Sequence, residues 1–263
     1  MLPTWDPNRL IRRKPFNVAL VGGRKMGKST AQQDLIHRMK SEFDLVICFI
    51  GSAACNPCLE YLLNEHWDPR FFFSEWDENL IDKLLRQQEE LLAAGKTREV
   101  LLLVDDVILN SKADHQLAHM GMRGRHFRIS LMMCAVSYTS LPKRMRRSLD
   151  VLMVYSVPMR GDMQVLTYEY CQGRVNVARC CLQSLKDHEC LVLETLQKKQ
   201  QLFMWKADLL EVIDETDNRR SKSPDLSESK IEEHIENESA RQPPSRQNKI
   251  SDLSDDSESE GLP

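Results

Sequence analysis

The chain has 263 residues, of which 41% are hydrophobic, and this length suits one α/β domain of about 200 residues with an appendage. The whole chain carries a net charge of −3, but residues 217–263 hold 7 Lys and Arg against 12 Asp and Glu, so the net charge of residues 1–216 is slightly positive. Net charge therefore does not exclude a nucleic-acid partner. No apolar run approaches the roughly 20 residues that cross a bilayer, and the 8 dispersed cysteines follow no signal peptide, which predicts a soluble, intracellular protein with reduced thiols.

A strand, a glycine-rich loop and a helix are predicted in that order near the start of the chain. Residues 16–21, FNVALV, form an apolar run without alternation, as in strands of parallel sheets that are covered on both faces. Glycines follow at once, and the next segment, residues 29–43, places Leu35, Ile36 and Met39 at helical spacing. The same order recurs further along the chain.

Strands and helices continue to alternate up to residue 157. The further predicted strands are residues 44–50, 98–107, 128–138 and 151–157, and the further predicted helices are residues 78–95 and 140–149, the latter with Pro142 in its first turn. The pattern from 158 to 207 is less regular, and its last part is predicted to form a hairpin. The alternation predicts a three-layer α/β fold, with a mainly parallel central sheet and helices on both faces, whose ligands bind beyond the carboxyl ends of the strands.

The loop after the first strand matches a phosphate-binding pattern. Residues 18–30 read VALVGGRKMGKST, and the pattern G-x-x-x-x-G-K-[ST] is satisfied by Gly22, Gly27, Lys28 and Ser29. Glycines let backbone N–H groups turn inward onto phosphate oxygens that a Cβ would obstruct, and the next helix directs its positive end at the same anion. A chance match in a glycine turn is the alternative, and the strand and helix around the loop disfavour it.

ATP is the ligand that this loop predicts. The predicted binding residues are Gly22, Gly23, Gly27, Lys28, Ser29 and Thr30. Lys28 is expected to reach the β- and γ-phosphates, Ser29 to coordinate Mg²⁺ and Thr30 to help hold the α-phosphate.

Two aspartates, Asp105 and Asp106, end the predicted strand over residues 98–107. We expect Asp105 to hold Mg²⁺ through its water shell and Asp106 to accept a proton from the attacking water. Many hydrolytic relatives have glutamate at the second position, so aspartate there requires a slightly different reach. The alternative is an ordinary strand end with two solvated carboxylates.

A cluster of cations follows the fourth strand in the stretch SYTSLPKRMRRSLDV. One arginine of this cluster is a candidate for a finger that reaches a neighbouring subunit's γ-phosphate, and the other cations, Lys143, Arg144 and Arg147 among them, are predicted to contact a phosphate backbone. The alternative is a solvated cationic helix face. That alternative is favoured for the arginines of RGRHFR, residues 123–128.

A lone C-x-x-C pair, Cys55 and Cys58 in CNPC, has metal-ligand spacing. No second pair lies at a finger-like distance in the sequence, so we interpret these residues as buried or turn cysteines rather than as zinc ligands.

Taken in order, FNVALVGGRKMGKST, LLLVDD and GRHFRISLMMCAVSYTSLPKRMRRSLDVLMVY resemble the genome-packaging ATPases of poxvirus type found in large DNA viruses, a branch of the FtsK-HerA superfamily. The resemblance covers about residues 14–207. It implies a ring, a hexamer, that hydrolyses ATP with Mg²⁺ and drives double-stranded DNA into a preformed shell, with a capsid or portal-like protein as partner. By position, the family's functional residues fall on Lys28, Ser29, Asp105, Asp106 and Arg146. The implied location is the site of virion assembly in the host cytoplasm or nucleus, or the virion itself.

Two positions depart from that family's pattern. The glutamine that usually precedes the Ser-Tyr pair and senses the γ-phosphate is Val136 here, and the asparagine two residues after the arginine is Ser148. Valine cannot hydrogen-bond, so hydrolysis is less firmly predicted than nucleotide binding. Two other functions remain open: a phosphate-loop kinase acting on a small molecule, and a nucleotide-switched adaptor whose hydrolysis has weakened.

The resulting domain prediction has three parts: an N-terminal arm over residues 1–13, a phosphate-loop ATPase domain over residues 14–216 and a disordered acidic tail over residues 217–263. The tail lacks hydrophobic periodicity and is rich in Ser, Glu and Asp, so it cannot bury enough apolar surface to fold alone. It is interpreted chiefly as a solubilising end. Mimicry of DNA and phosphorylation within SDDSESE are the alternatives.

Overall fold

The structure is a computed structural model that describes residues 2–51, 63–155, 157, 159–171, 175–195 and 201–208. All of these lie in one unit of the chain, Met1–Thr216. The predicted tail and the CNPC pair, Cys55 and Cys58, fall outside the described residues.

The strands form one sheet in the described part of the chain. They are β1 (Asn17–Val21), β2 (Leu45–Ile50), β3 (Phe72–Phe73), β4 (Val100–Asp105), β5 (Ile129–Ala135), β6 (Val151–Val154), β7 (Glu189–Glu194) and β8 (Gln201–Lys206). Their spatial order is β3-β2-β4-β5-β1-β6-β7-β8. The first six pair in parallel, while β7 and β8 are antiparallel additions at one side. The predicted mainly parallel sheet and the terminal strand pair are confirmed.

Helices cover both faces of this sheet. They are α1 (Asn8–Ile11), α2 (Lys28–Arg38), α3 (Glu78–Ala93), α4 (Ser111–Arg123), α5 (Lys143–Arg146), α6 (Arg160–Tyr170) and α7 (Val175–Gln183). One apolar cluster joins the sheet to α1 and α2, and a second joins its other face to α3, α4, α5 and α6. The described residues therefore form the predicted three layers.

Because helices cover both faces of the sheet, its central strands are continuous apolar runs. In β1 every residue is buried, and successive side chains belong to opposite clusters: Val18 and Leu20 to one, Ala19 and Val21 to the other. Because neither face of the strand meets water, the sequence shows an unbroken apolar run instead of alternation. The phosphate loop thus begins from a central, fully buried strand.

The residues before β1 are packed rather than free. Trp5 is 2% exposed and donates from its indole nitrogen to Glu194, and Arg9 pairs with the same carboxylate at 3.0 Å. Leu10 is fully buried in the cluster under α2. These residues form part of the domain's core, while the predicted boundary at residue 14 stays a prediction.

Across the described residues, each helix is too short or too polar to traverse a lipid bilayer. Within the same residues, three or more His, Cys, Asp or Glu side chains do not come together in a metal-binding group.

Candidate nucleotide-binding site

The phosphate loop leaves the carboxyl end of β1 and leads directly into α2. Its first glycine, Gly22, donates its N–H to Ala135 O of β5 at 3.2 Å, and its last, Gly27, adopts a left-handed φ of 98°. Lys25 is also left-handed, with φ 62°. Gly27 occupies the N-cap position of α2, and no side chain caps the first turn there. The backbone N–H groups of that turn are therefore the exposed, positive end of a helix, which suits an anion.

Lys28 extends across this loop. Its Nζ donates to Gly22 O at 2.7 Å and to Gly23 O at 2.8 Å. Burial is the main cause that lowers the pKa of Lys28, and the charges of Asp105 and Asp106 oppose that effect. The sequence-predicted lysine and both aspartates are thus within electrostatic reach of one another.

Asp105 ends β4 beside the phosphate loop. It lies in register with Cys134 of β5 and Ile50 of β2. Burial first, and then the charge of Asp106, raise the pKa of Asp105, while Lys28 and a hydrogen bond from the Cys134 thiol lower it. Burial raises the pKa of Cys134 well above its usual value, so the thiol remains a donor to the carboxylate.

Asp106 turns the chain sharply after β4. Its φ of 51° lies in the left-handed region, where aspartate is one of the few tolerated residues. Gly51 makes room for this turn, because a Cβ at residue 51 would lie 2.1 Å from Asp106 O. The strained backbone holds Asp106 at the carboxyl end of the sheet, in the position predicted for a catalytic base.

The predicted Mg²⁺ ligands fit that role by their chemistry. Ser29 is exposed in the first turn of α2, and Asp105 contributes a half-buried carboxylate whose charge is poorly compensated by protein groups. Mg²⁺ typically takes one or two protein oxygens and completes its shell with water and substrate phosphates. A hydroxyl and one carboxylate therefore form a sufficient donor set.

A polar turn follows β5 at the same end of the sheet. Val136, which stands where the related family usually has its sensor glutamine, is 53% exposed and offers no polar group. The next three residues are anchored by Asp162 of α6, which is 4% exposed. Its carboxylate accepts the hydroxyls of Ser137 and Thr139 and the N–H groups of Tyr138 and Thr139.

Arg146 lies in a network within its own chain. Its guanidinium pairs with Glu169 of α6 at 3.3 Å, donates to Leu141 O and stacks over the Tyr138 ring, leaving 10% of the side chain exposed. The Tyr138 hydroxyl donates to Glu169 as well. None of these contacts is with its own phosphate loop, and a finger role toward a neighbouring subunit, which would require them to break, stays a prediction.

The other cations of the cluster are exposed, in contrast to Arg146. Lys143, Arg144 and Arg147 all lie on the surface. Lys143 and Arg147 line a cavity of about 650 Å³ together with Tyr168 of α6, which is 80% exposed. In RGRHFR, by contrast, Arg125 pairs with Asp150 and Arg128 with Glu99, so these two arginines form ion pairs within the domain.

Sequence reasoning missed Gly51, Cys134 and Asp162. Gly51 directly follows the predicted strand over residues 44–50, and Cys134 lies near the end of β5, which neighbours β1, so both had a usable signal. Asp162 had none, since its partners are 23 to 25 residues away along the chain.

The family model described as Poxvirus A32 protein matches residues 5–187. The chain belongs to this family. A comparison with curated protein sequences gives no match.

Three solved structures share the fold of this A32 family member. B204, the DNA-packaging ATPase from Sulfolobus turreted icosahedral virus, has a TM-score of 0.53 and 13% identity over 72% of this chain and 97% of B204. EssC ATPases 2 and 3 from Geobacillus thermodenitrificans have a TM-score of 0.51 and 14% identity, with 76% of this chain and 42% of EssC covered. The cytoplasmic domain of the type VII secretion ATPase EccC from Thermomonospora curvata also has a TM-score of 0.51 and 14% identity, with 73% and 25% covered.

At these identities the likeness concerns the fold, and it confirms the predicted phosphate-loop architecture. Membership of the A32 family confirms the resemblance inferred from the motifs. Family and fold together assign the chain to the class of ATPases.

Proposed function

We propose that this A32 family member is a subunit of a ring, a hexamer, that hydrolyses ATP and uses the energy to move double-stranded DNA into a viral capsid. One observation carries the proposal: Lys28, Asp105 and Asp106 meet at the carboxyl end of the sheet, where α2 also begins without a side-chain cap. This is the arrangement that grips a triphosphate and hydrolyses it.

Nucleotide binding rests on groups of the loop itself. Lys28 bonds to the carbonyls of Gly22 and Gly23, which are neutral acceptors, so a phosphate oxygen carrying negative charge is a stronger partner for the same ammonium. The N–H groups of the first turn of α2 add neutral donors at the positive end of the helix. Binding therefore needs a change of partner at Lys28 but no rebuilding of the strand or the helix.

Hydrolysis rests on the two carboxylates. When bound, Mg²⁺ neutralises charge on the phosphate oxygens, and Ser29 and Asp105 are the residues that would hold it. Asp106 lies one residue further, on an exposed and strained turn, from which it accepts the proton of the attacking water. Burial of Asp105 leaves its negative charge poorly compensated within the protein, which favours a cation beside it.

DNA binding rests on exposed cations. Lys143, Arg144 and Arg147 are exposed, and a phosphate backbone matches their charge. Arg146 supports them from inside through its contacts with Glu169 and Tyr138. The capsid or a portal-like protein is the further partner that this role requires, at the site of virion assembly.

Val136 favours a second candidate function, a nucleotide-switched adaptor with weak hydrolysis. Its exposed isopropyl group cannot orient water at the position where a sensor amide is expected. An adaptor would bind ATP tightly and turn it over slowly at every DNA concentration.

The deciding experiment is an ATPase assay on the purified full chain with and without duplex DNA, together with a mass measurement in the presence of nucleotide. Wild type is expected to form a closed ring and to hydrolyse ATP faster with DNA, whereas Lys28→Ala loses roughly 100-fold or more of the rate because a charge-stabilising donor is removed. Lys40→Ala, which removes an exposed lysine just beyond α2, is the matched control and retains the wild-type rate. Equal hydrolysis with and without DNA would contradict a motor.

A further inference from the structure

The turn before β7 packs directly against the last glycine of the phosphate loop. A Cβ built on Gly27 would lie 2.9 Å from His188 Nδ1, 3.2 Å from His188 Cα and 3.4 Å from the Tyr155 ring. His188 is itself exposed. The imidazole of His188 therefore stands at the mouth of the loop, beside the residue that precedes Lys28.

Sheet topology explains how residue 188 comes to this place. β7 runs antiparallel to β6, with Leu191 opposite Val154, and β6 runs parallel to β1. The beginning of β7 therefore lies at the same end of the sheet as the carboxyl ends of β1 and β6. Residues 186–188 project beyond that end, next to the phosphate loop.

This turn is held in a specific and costly shape. Glu189 N donates to Lys186 O at 3.0 Å, and the Glu189 carboxylate accepts from Lys186 N at 2.8 Å. Within it His188 has a φ of 64°, in the left-handed region that non-glycine residues seldom adopt. The two hydrogen bonds and this backbone conformation fix the position from which the His188 side chain leaves the turn.

The direction of a bound triphosphate follows from the charges around Lys28. β1 lies between β5 and β6 in the sheet, and Asp105, Asp106 and Cys134 all belong to the β4 and β5 side. The γ-phosphate, where hydrolysis occurs, must face those groups. The α-phosphate and the nucleoside then leave the loop on the β6 and β7 side, where His188 lies.

We infer that His188 and the turn of residues 186–188 form the nucleoside-facing wall of the ATP site, with the imidazole in contact with the sugar and base of the nucleotide. A planar ring with polar nitrogens suits both the π-face of a base and the hydroxyls of ribose. The inference rests on the proposed nucleotide binding and adds the residue that distinguishes a nucleotide from a bare polyphosphate.

The test compares ATP with inorganic tripolyphosphate, each with Mg²⁺, by calorimetry on the full chain. His188→Gly is the informative variant, because glycine accepts the left-handed backbone and removes only the imidazole. It is expected to weaken ATP binding roughly tenfold, the size of one lost ring contact. Its tripolyphosphate affinity stays within about twofold of wild type, because the phosphates contact α2 and Lys28 instead.

His115→Ala, which removes an exposed imidazole on α4, is the matched control and leaves both affinities unchanged. An unchanged ATP affinity in His188→Gly, or an equal loss for ATP and tripolyphosphate, overturns the inference while nucleotide binding stands. Failure of wild type to bind either ligand overturns the proposed function and this inference with it.

Discussion

Asp105 and Asp162 are two carboxylates at the same end of the sheet, and their surroundings differ sharply. Asp105 is half-buried, with a thiol as hydrogen-bond donor and Asp106 nearby, and partial burial is the main cause that raises its pKa. Burial alone would also raise the pKa of Asp162, but the hydrogen bonds from Thr139 and Ser137 outweigh it and leave that pKa lowered. The charge of Asp105 is poorly compensated at the position where we propose the chemistry. The carboxylate of Asp162 instead accepts several hydrogen bonds that hold the turn after β5.

The difference shows how the site is divided between function and stability. A carboxylate that is already saturated by protein donors has little to gain from a cation or a proton. A carboxylate with few hydrogen-bond donors binds a cation or a proton more readily, but its burial lowers the stability of the folded state. Replacement of the two residues should therefore change stability in opposite directions.

Asp105→Asn is expected to have a larger effect than replacement of Asp162 or Arg146. Hydrolysis falls roughly 100-fold or more, because the proposed cation ligand is lost. In nucleotide-free and metal-free protein the free energy of unfolding at pH 7 rises, because the raised pKa means that ionised Asp105 destabilises the folded state. The gain disappears as the pH falls through the raised pKa toward the ordinary carboxyl range, since wild type then becomes neutral as well. Urea denaturation at pH 7 and pH 4 measures this gain in stability. If Asp105→Asn were less stable than wild type at pH 7, this account would be contradicted.

Asp162→Ala should change stability in the other direction. Four donors, from Ser137, Tyr138 and Thr139, lose their acceptor, and the free energy of unfolding is expected to drop by about 3 kcal/mol. The lowered pKa of Asp162 implies stability that is present above the unfolded pKa and lost as the pH falls through the folded one. The deficit of Asp162→Asn against wild type is thus greatest at neutral pH and shrinks in acid. If Asp162→Asn were destabilised equally at pH 7 and pH 3, the negative charge of Asp162 would not contribute to stability.

Arg146→Ala tests the arginine that does not meet the phosphate loop. The substitution removes the ion pair with Glu169, the hydrogen bond to Leu141 O and the contact with the Tyr138 ring, and we expect the protein to lose about 2 kcal/mol of stability while ATP affinity stays within about twofold. Arg144→Ala is the matched control on the same short helix, and because Arg144 is exposed it should change stability by no more than about 0.5 kcal/mol. A large fall in hydrolysis with intact stability would instead support the predicted finger role of Arg146 toward a neighbouring subunit.

The strands and the phosphate loop were predictable because their signals are local. β1, β2, β4, β5 and β6 are apolar runs, and their predicted positions agree within a few residues. α4 was missed although Asn110 caps it by accepting from the N–H groups of Lys112 and Ala113, since its apolar residues are too few for a clear pattern. α6 and α7 were missed in the irregular stretch after residue 158, where glycine and short helices obscure the periodicity.

Within the candidate site, the sequence indicated the groups proposed to act on phosphate but not those that position them. The glycines, Lys28 and Asp105 follow from a contiguous motif and a strand end. Asp162 and His188 reach the site only through the packing of α6 and the antiparallel run of β7, which no short pattern records. The same limit explains Arg146, whose partner Glu169 is 23 residues away.

The packed start of the chain also closes one side of the sheet. Trp5 N donates to Met204 O at 2.8 Å and Met204 N donates to Pro3 O at 2.9 Å, so residues 3–5 occupy the outer hydrogen-bonding edge of β8. An uncovered edge strand invites another chain to add a strand of its own and so leads to open-ended aggregation. With residues 3–5 on that edge, any subunit of the proposed ring that docked on this side would contact side chains rather than extend the sheet, and such a contact can loosen and reform without breaking strand hydrogen bonds.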